Sequence, residues 1–197
     1  MIIKNISERN CALLSIICFF LHLLFLQFYP VNFEFSFSEG AKYLHKLDSE
    51  IIDEYFFNQA NTFIFSIIVG LVDKVLFLDN TLVVARIISA TSYLFFGFGF
   101  IKIFRYYKIE FSNSFFLLYF FLNPLIWTYG FRGIPDLFAT SLSFYLFSNF
   151  LFLKNKKNIK NYLNFILFGL CISIKPFCAI YLALIFLIEF NKDYFLV

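Results

Sequence analysis

The chain has 197 residues, of which 61% are hydrophobic, 24% aromatic and only 15% charged, with a formal net charge of +3. Its mean hydropathy is +0.79, whereas a soluble domain is about 25% charged and about 45–50% apolar. These values exclude a disordered or fibrous chain. The small, scattered positive charge excludes a nucleic-acid binder, and the composition implies an all-α, polytopic transmembrane helix bundle.

Lys4 and Arg9 precede an apolar run at residues 11–29, the first predicted span. A basic start and an apolar run also fit a signal peptide. The length of the run, with no small-x-small site before Pro30, favours a retained helix with a cytoplasmic N-terminus. His22 within it reads as a packed neutral histidine rather than a ligand. The four cysteines, Cys11, Cys18, Cys171 and Cys178, all lie in apolar segments. On one helix, residues seven apart are separated by about 10 Å, too far for a disulfide, so they read as small buried side chains.

Residues 30–61 interrupt the apolar pattern with Glu34, Glu39, Asp48, Glu50, Asp53 and Glu54 against two bases, Lys42 and Lys46. By alternation this loop lies outside. Tyr43, Leu44, Leu47, Ile51, Ile52 and Tyr55 recur at helical spacing. Ser38 is a candidate N-cap and Glu39 complements the helix dipole. An amphipathic helix on the membrane surface is therefore expected at 39–55.

The run 62–78 barely reaches the ~20 residues that a crossing needs. It also contains Asp73 and Lys74, each costing about 2.5–3.5 kcal/mol at mid-bilayer. Further spans are predicted at 83–101, 112–129 and 137–153. The first and third are followed by Lys102, Arg105 and Lys108, and by Lys154, Lys156, Lys157 and Lys160. Both basic loops fall on the cytoplasmic side only if 62–78 does not cross. It is therefore expected to be a second surface or re-entrant helix, making 30–80 one outer layer.

Within 112–129, Asn123-Pro124 predicts a kink, and Trp127 and Tyr129 fit an interfacial aromatic belt. The following turn, GFRGIP, brings Arg132 and Asp136 close enough to pair, with Asp136 at the outer N-terminus of the next span. Residues 162–190 are long for one span and short for two. A hairpin of short helices turning at Lys175-Pro176 is expected, with a single kinked helix as the alternative. A lysine in such a run is a functional candidate by default.

Four segments in this order resemble the N-terminal part of the GT-C-type integral-membrane glycosyltransferases, the branch of protein O-mannosyltransferases and aminoarabinose transferases. Ser38-Glu39-Gly40-Ala41-Lys42-Tyr43 resembles the acidic motif of the first outer loop. Gly70 and Val84-Ala85-Arg86-Ile87-Ile88-Ser89-Ala90 resemble the glycine and Ala-Arg pattern that follows. NPLIWTYGFRGIPDLFATSL resembles the segment carrying Arg and Asp before a span, and GLCISIKP a Gly-rich helix ending in Lys-Pro. In this chain Ser38 stands where the family's first acid is usual, with Glu34 available four residues before it.

The resemblance implies hexosyl or pentosyl transfer from a polyprenyl-phosphate sugar donor to a glycan, lipid or protein acceptor. The setting is the outer face of a multi-pass protein in a bacterial inner or plasma membrane. It further implies Glu39 as general base, with Asp136 and Glu34 as the other candidate catalytic acids. Lys175, Arg132, Arg86 and Tyr129 become candidate substrate- and phosphate-binding residues, Arg86 toward loop carboxylates, with a divalent cation as a possible aid to the leaving phosphate. Residues 1–197 would form one transmembrane domain at the start of a larger module. Three readings stay beside it: an inactive fragment or pseudo-enzyme of that fold, a membrane scaffold, and a transporter or flippase fragment. The last predicts repeated halves and charges inside the spans as relays, whereas the charges of this chain cluster at one outer surface and no repeat shows.

Overall fold

The computed structural model describes residues 8–26, 63–78, 80–108, 132–133, 135–153 and 159–194, with Asn123 and Ile126. The expected surface helix at 39–55, nearly all of the span expected at 112–129, and Glu34, Glu39, Trp127 and Tyr129 lie outside them. Among the described residues the secondary structure is entirely helical. The elements are α1 (Glu8–Phe25), α2 (Phe63–Leu76), α3 (Thr81–Ala90), α4 (Ser92–Tyr107), α5 (Pro135–Leu153) and α6 (Ile159–Ile174), then a 3-10 turn (Pro176–Cys178) and α7 (Ala179–Tyr194).

Helix α1 is patterned inside out relative to a water-soluble helix. Its buried stripe is Cys11, Ser15, Cys18 and His22, spaced four, three and four apart and hence on one face. Its opposite face leaves Phe20 57% and Leu24 69% exposed, while Ser15 and His22 are fully buried. Small and polar residues inside, with large apolar residues outside, is the arrangement of helices packed in lipid.

The inner stripe of α1 meets α4. Tyr93 lies beside His22, Gly97 beside Ser15 and Arg105 beside Glu8, so the two helices are antiparallel. His22 Nδ1 lies 3.0 Å from the Cys18 carbonyl. A carbonyl only accepts, so Nδ1 carries the proton, and Nε2 of the neutral ring accepts from the Tyr93 hydroxyl at 2.9 Å. Tyr93→Phe deletes that bond between helices. It should cost about 1–3 kcal/mol, read as a lower melting temperature of the detergent-solubilised chain; an unchanged melting temperature would refute the assignment.

Helices α3 and α4 form one continuous rod of 27 residues, Thr81–Tyr107. Asn80 caps its start by accepting from the Val83 N–H at 3.2 Å, and Lys108 ends it in the left-handed region. The joint is Thr91, whose hydroxyl donates to the Ile88 carbonyl at 2.5 Å. Such back-bonding disturbs a helix locally without ending it. The span expected at 83–101 is contained in this rod. Rod and α1 are the two described helices long and apolar enough to cross a membrane; shorter apolar stretches occupy Tyr162–Ile174 and Pro176–Ile188.

Helix α5 packs most extensively on α4. Phe95 meets Phe138, Phe100 meets Phe144, and Lys102 meets Tyr145 and Asn149, so the two run parallel. Helix α6 returns antiparallel along α5, with Phe168, Cys171 and Ile174 buried in the shared core. At Lys175-Pro176 the chain reverses. Tyr181 of α7 lies against Phe144 and Phe147, so α7 runs back along α5. The expected pair of short helices is present, and both pack mainly on α5 rather than on each other. All four cysteines are free and buried. The turn between Cys171 and Cys178 removes the single-helix geometry that the sequence suggested for that pair.

Helix α2 has 14 residues, about 21 Å, short of the ~30 Å hydrocarbon core. Its inner face, Phe65, Ser66, Val69 and Asp73, is buried. The Asp73 carboxylate accepts from the Asn80 N–H at 3.2 Å. An acid that looked costly in a span thus sits at the start of α3, where the helix dipole favours it.

Candidate functional site

The bundle has two chemically different ends. At the first, the Glu8 carboxylate of α1 accepts from Nε and Nη2 of Arg105, and Arg9 and Lys108 are exposed. Lys102 bonds Asn149 and lies 4.1 Å from the Tyr145 ring centre. The other end collects the C-terminus of α1, Arg86 of α3, Arg132-Gly133, the N-terminus of α5 and the C-terminus of α6.

Three sequence features build this second end. Pro135 opens α5 at a position where a missing N–H costs nothing, which puts Asp136 in its first turn. Pro176 disfavours helical backbone in the residue before it, and Lys175 is extended at φ −142°, ψ 107°. Its N–H still closes the last turn of α6 on the Cys171 carbonyl at 2.8 Å. Gly133 lies so close to α3 that a Cβ there would be 2.7 Å from Ala85 Cβ and 3.2 Å from Arg86 N.

The central contact is an ion pair between Lys175 Nζ and Asp136 Oδ1, 2.9 Å apart. Each partner is also favoured by its own helix, an anion at the N-terminus of α5 and a cation at the C-terminus of α6. Both side chains are partly exposed, at 24% for Lys175 and 39% for Asp136. A pair in that setting contributes about 0–1 kcal/mol, so it can open at little cost.

The expected Arg132–Asp136 pair is not formed. α5 begins only at Pro135, so the two residues do not share a helical turn, and Asp136 takes Lys175 instead. Arg132 Nε is buried without a hydrogen-bond partner. Arg86 is buried, and its Nη1 donates to the Leu26 carbonyl, just past the end of α1, at 2.5 Å. This is a structural tie between α1 and α3. Glu34, Glu39 and Tyr129 lie outside the described residues.

Among the described residues no cluster of three His, Cys, Asp or Glu could hold a metal. The one described candidate acid, Asp136, faces a cation. These residues by themselves do not fit a divalent ion.

Sequence reasoning did not foresee the His22–Tyr93 bond, the Asp73–Asn80 cap or the Lys102–Asn149–Tyr145 cluster. Asn80 before an apolar run was a readable cap signal. The other two join residues distant in the chain, which no local pattern reports. No protein-family model, curated protein or solved structure matches the chain.

Proposed function

We propose that this chain is a multi-pass membrane protein with a cytoplasmic N-terminus, and that it forms the N-terminal part of a glycosyltransferase using a polyprenyl-phosphate sugar donor. The observation that carries this reading is the Lys175–Asp136 pair with Arg132 Nε nearby in the chain, at the end of an apolar bundle opposite its basic end. The inside-out α1 supports a lipid environment. The parallel run of α4 and α5 is what two spans separated by a third would give. The gathering of Arg9, Arg105 and Lys108 at one end supports the orientation.

In this reading Lys175 and Arg132 hold the phosphate of the donor, Arg through a planar fork suited to phosphate oxygens. A carboxylate, Glu39 first, accepts the proton of the acceptor hydroxyl. The acceptor oxygen bonds to the anomeric carbon as the bond from that carbon to the phosphate oxygen breaks. The negative charge released on the phosphate is met by the two cations.

The test is transfer of labelled sugar from a polyprenyl-phosphate donor in membranes containing the full-length protein. Lys175→Ala should lower the rate about 100-fold or more, with Glu39→Gln and Asp136→Asn also impaired. Full activity in all three variants would refute the transferase reading.

A further inference from the structure

We propose that Asp136 is an internal competitor for the anion that Lys175 binds, and that arrival of a phosphate group exchanges the ion pair: Lys175 moves to the phosphate and the Asp136 carboxylate is released. The inference rests on the phosphate-binding part of the reading above and adds to it a built-in order of events.

Three observations carry it. The pair is closed at 2.9 Å and its partners are partly exposed, so a solvent-borne or headgroup anion reaches it without unfolding the bundle. Each partner keeps a favourable helix end when the pair opens: Asp136 stays at the N-terminus of α5 and Lys175 at the C-terminus of α6. The separated state is therefore not two stranded charges. The third observation is the mismatch in donors. Asp136 satisfies Lys175, while Arg132 Nε is buried without an acceptor, and burying a donor in that state is unfavourable. A phosphate carries more acceptor oxygens than a carboxylate, so it can meet Lys175 and still offer an acceptor to Arg132, which lies four residues before Asp136 in the chain. No bond is made or broken in the exchange. Its product is a free carboxylate beside a bound phosphate, so Asp136 becomes available to orient an acceptor hydroxyl only after the donor has arrived.

The exchange predicts an unusual sign: removing an acid at the site should tighten anion binding rather than merely disturb it. The full chain is placed in phosphatidylcholine nanodiscs, and binding is measured for two probes, a polyprenyl monophosphate carried in the disc and inorganic phosphate in solution. Asp136→Asn keeps the side-chain shape and removes the charge. It should bind about two- to fivefold more tightly than the unaltered chain. Lys175→Gln should bind more weakly, and Asp136→Asn combined with Lys175→Gln should show no gain over Lys175→Gln alone. The probe that follows this order identifies the source of the phosphate.

Equal or weaker binding by Asp136→Asn overturns the exchange. So does a gain that persists without Lys175, since it would reflect charge repulsion alone. Absence of binding for both probes in every variant overturns the exchange together with the phosphate reading. The predicted order without sugar transfer in the membrane assay supports the exchange and overturns only the transferase reading.

Discussion

Gly97→Ala is expected to destabilise the folded chain by about 1–3 kcal/mol, although alanine is the better helix former. The new Cβ would lie 1.8 Å from Ser15 Oγ and 2.6 Å from Ser15 Cβ. The hydroxyl could rotate away only by giving up its bond to the Cys11 carbonyl, at 2.9 Å. The Cβ of Ser15 cannot move without α1, so the two helices must separate, loosening the His22–Tyr93 contact above and the Glu8–Arg105 contact below. Reciprocal exchange isolates the cause. Ser15→Gly in the Gly97→Ala background clears both close atoms and leaves Ser15 Cα at 3.9 Å, an ordinary contact. It should restore stability to within about 1 kcal/mol, the residual cost of glycine in a helix. Ser15→Ala in the same background retains the blocking Cβ and should restore little. Melting temperatures of the four proteins in one detergent decide the matter; a stable Gly97→Ala protein would show that α1 and α4 are farther apart than described.

Arg86→Ala should cost roughly 2–4 kcal/mol, from loss of a charged hydrogen bond and from the acceptor left behind in a buried place. The tie from Arg86 to the Leu26 carbonyl joins the end of α1 to the first end of the long rod. A structural tie and a phosphate-binding role give different results. If Arg86 serves the tie, its removal lowers the melting temperature and promotes proteolysis between α1 and α2. If it serves the anion instead, stability is kept and affinity for polyprenyl phosphate falls, and the tie is refuted.

Among the described residues, helix positions were largely legible in the sequence, because apolar runs and prolines act locally. The runs at 11–29, 83–101 and 137–153 contain or overlap α1, the α3–α4 rod and α5, and Pro176 marked the reversal after α6. The use of the charged residues was less legible. Spacing paired Arg132 with Asp136, yet the helix that would have joined them starts too late, and Lys175 arrives from the next helix to take the carboxylate. Asp73 registered as a cost because its neighbours are apolar; its value as an acceptor for the Asn80 N–H depends on a turn that hydropathy does not see. The inward side of α1 was hidden for a related reason. In a water-soluble helix the large apolar residues mark the core side, whereas on α1 Ser15, His22 and the two cysteines mark it. At the candidate site, Asp136, Lys175, Arg132 and Arg86 were all named from sequence, while their connections came from the fold.

The 27-residue rod made of α3 and α4 is about 40 Å long at 1.5 Å per residue. An apolar layer of about 30 Å cannot contain it upright. In the proposed membrane-spanning arrangement, either the rod leans by roughly 40° from the membrane normal, the upper limit of tilts seen in membrane proteins, or one end stands clear of the oil. Its first end, Thr81 to Arg86, is the one beside Gly133 and, three residues on, Asp136. If, as proposed, the rod crosses a membrane upright with this end clear of the apolar layer, the Lys175–Asp136 pair stands at the level of the lipid headgroups, where the phosphate of the proposed donor would lie.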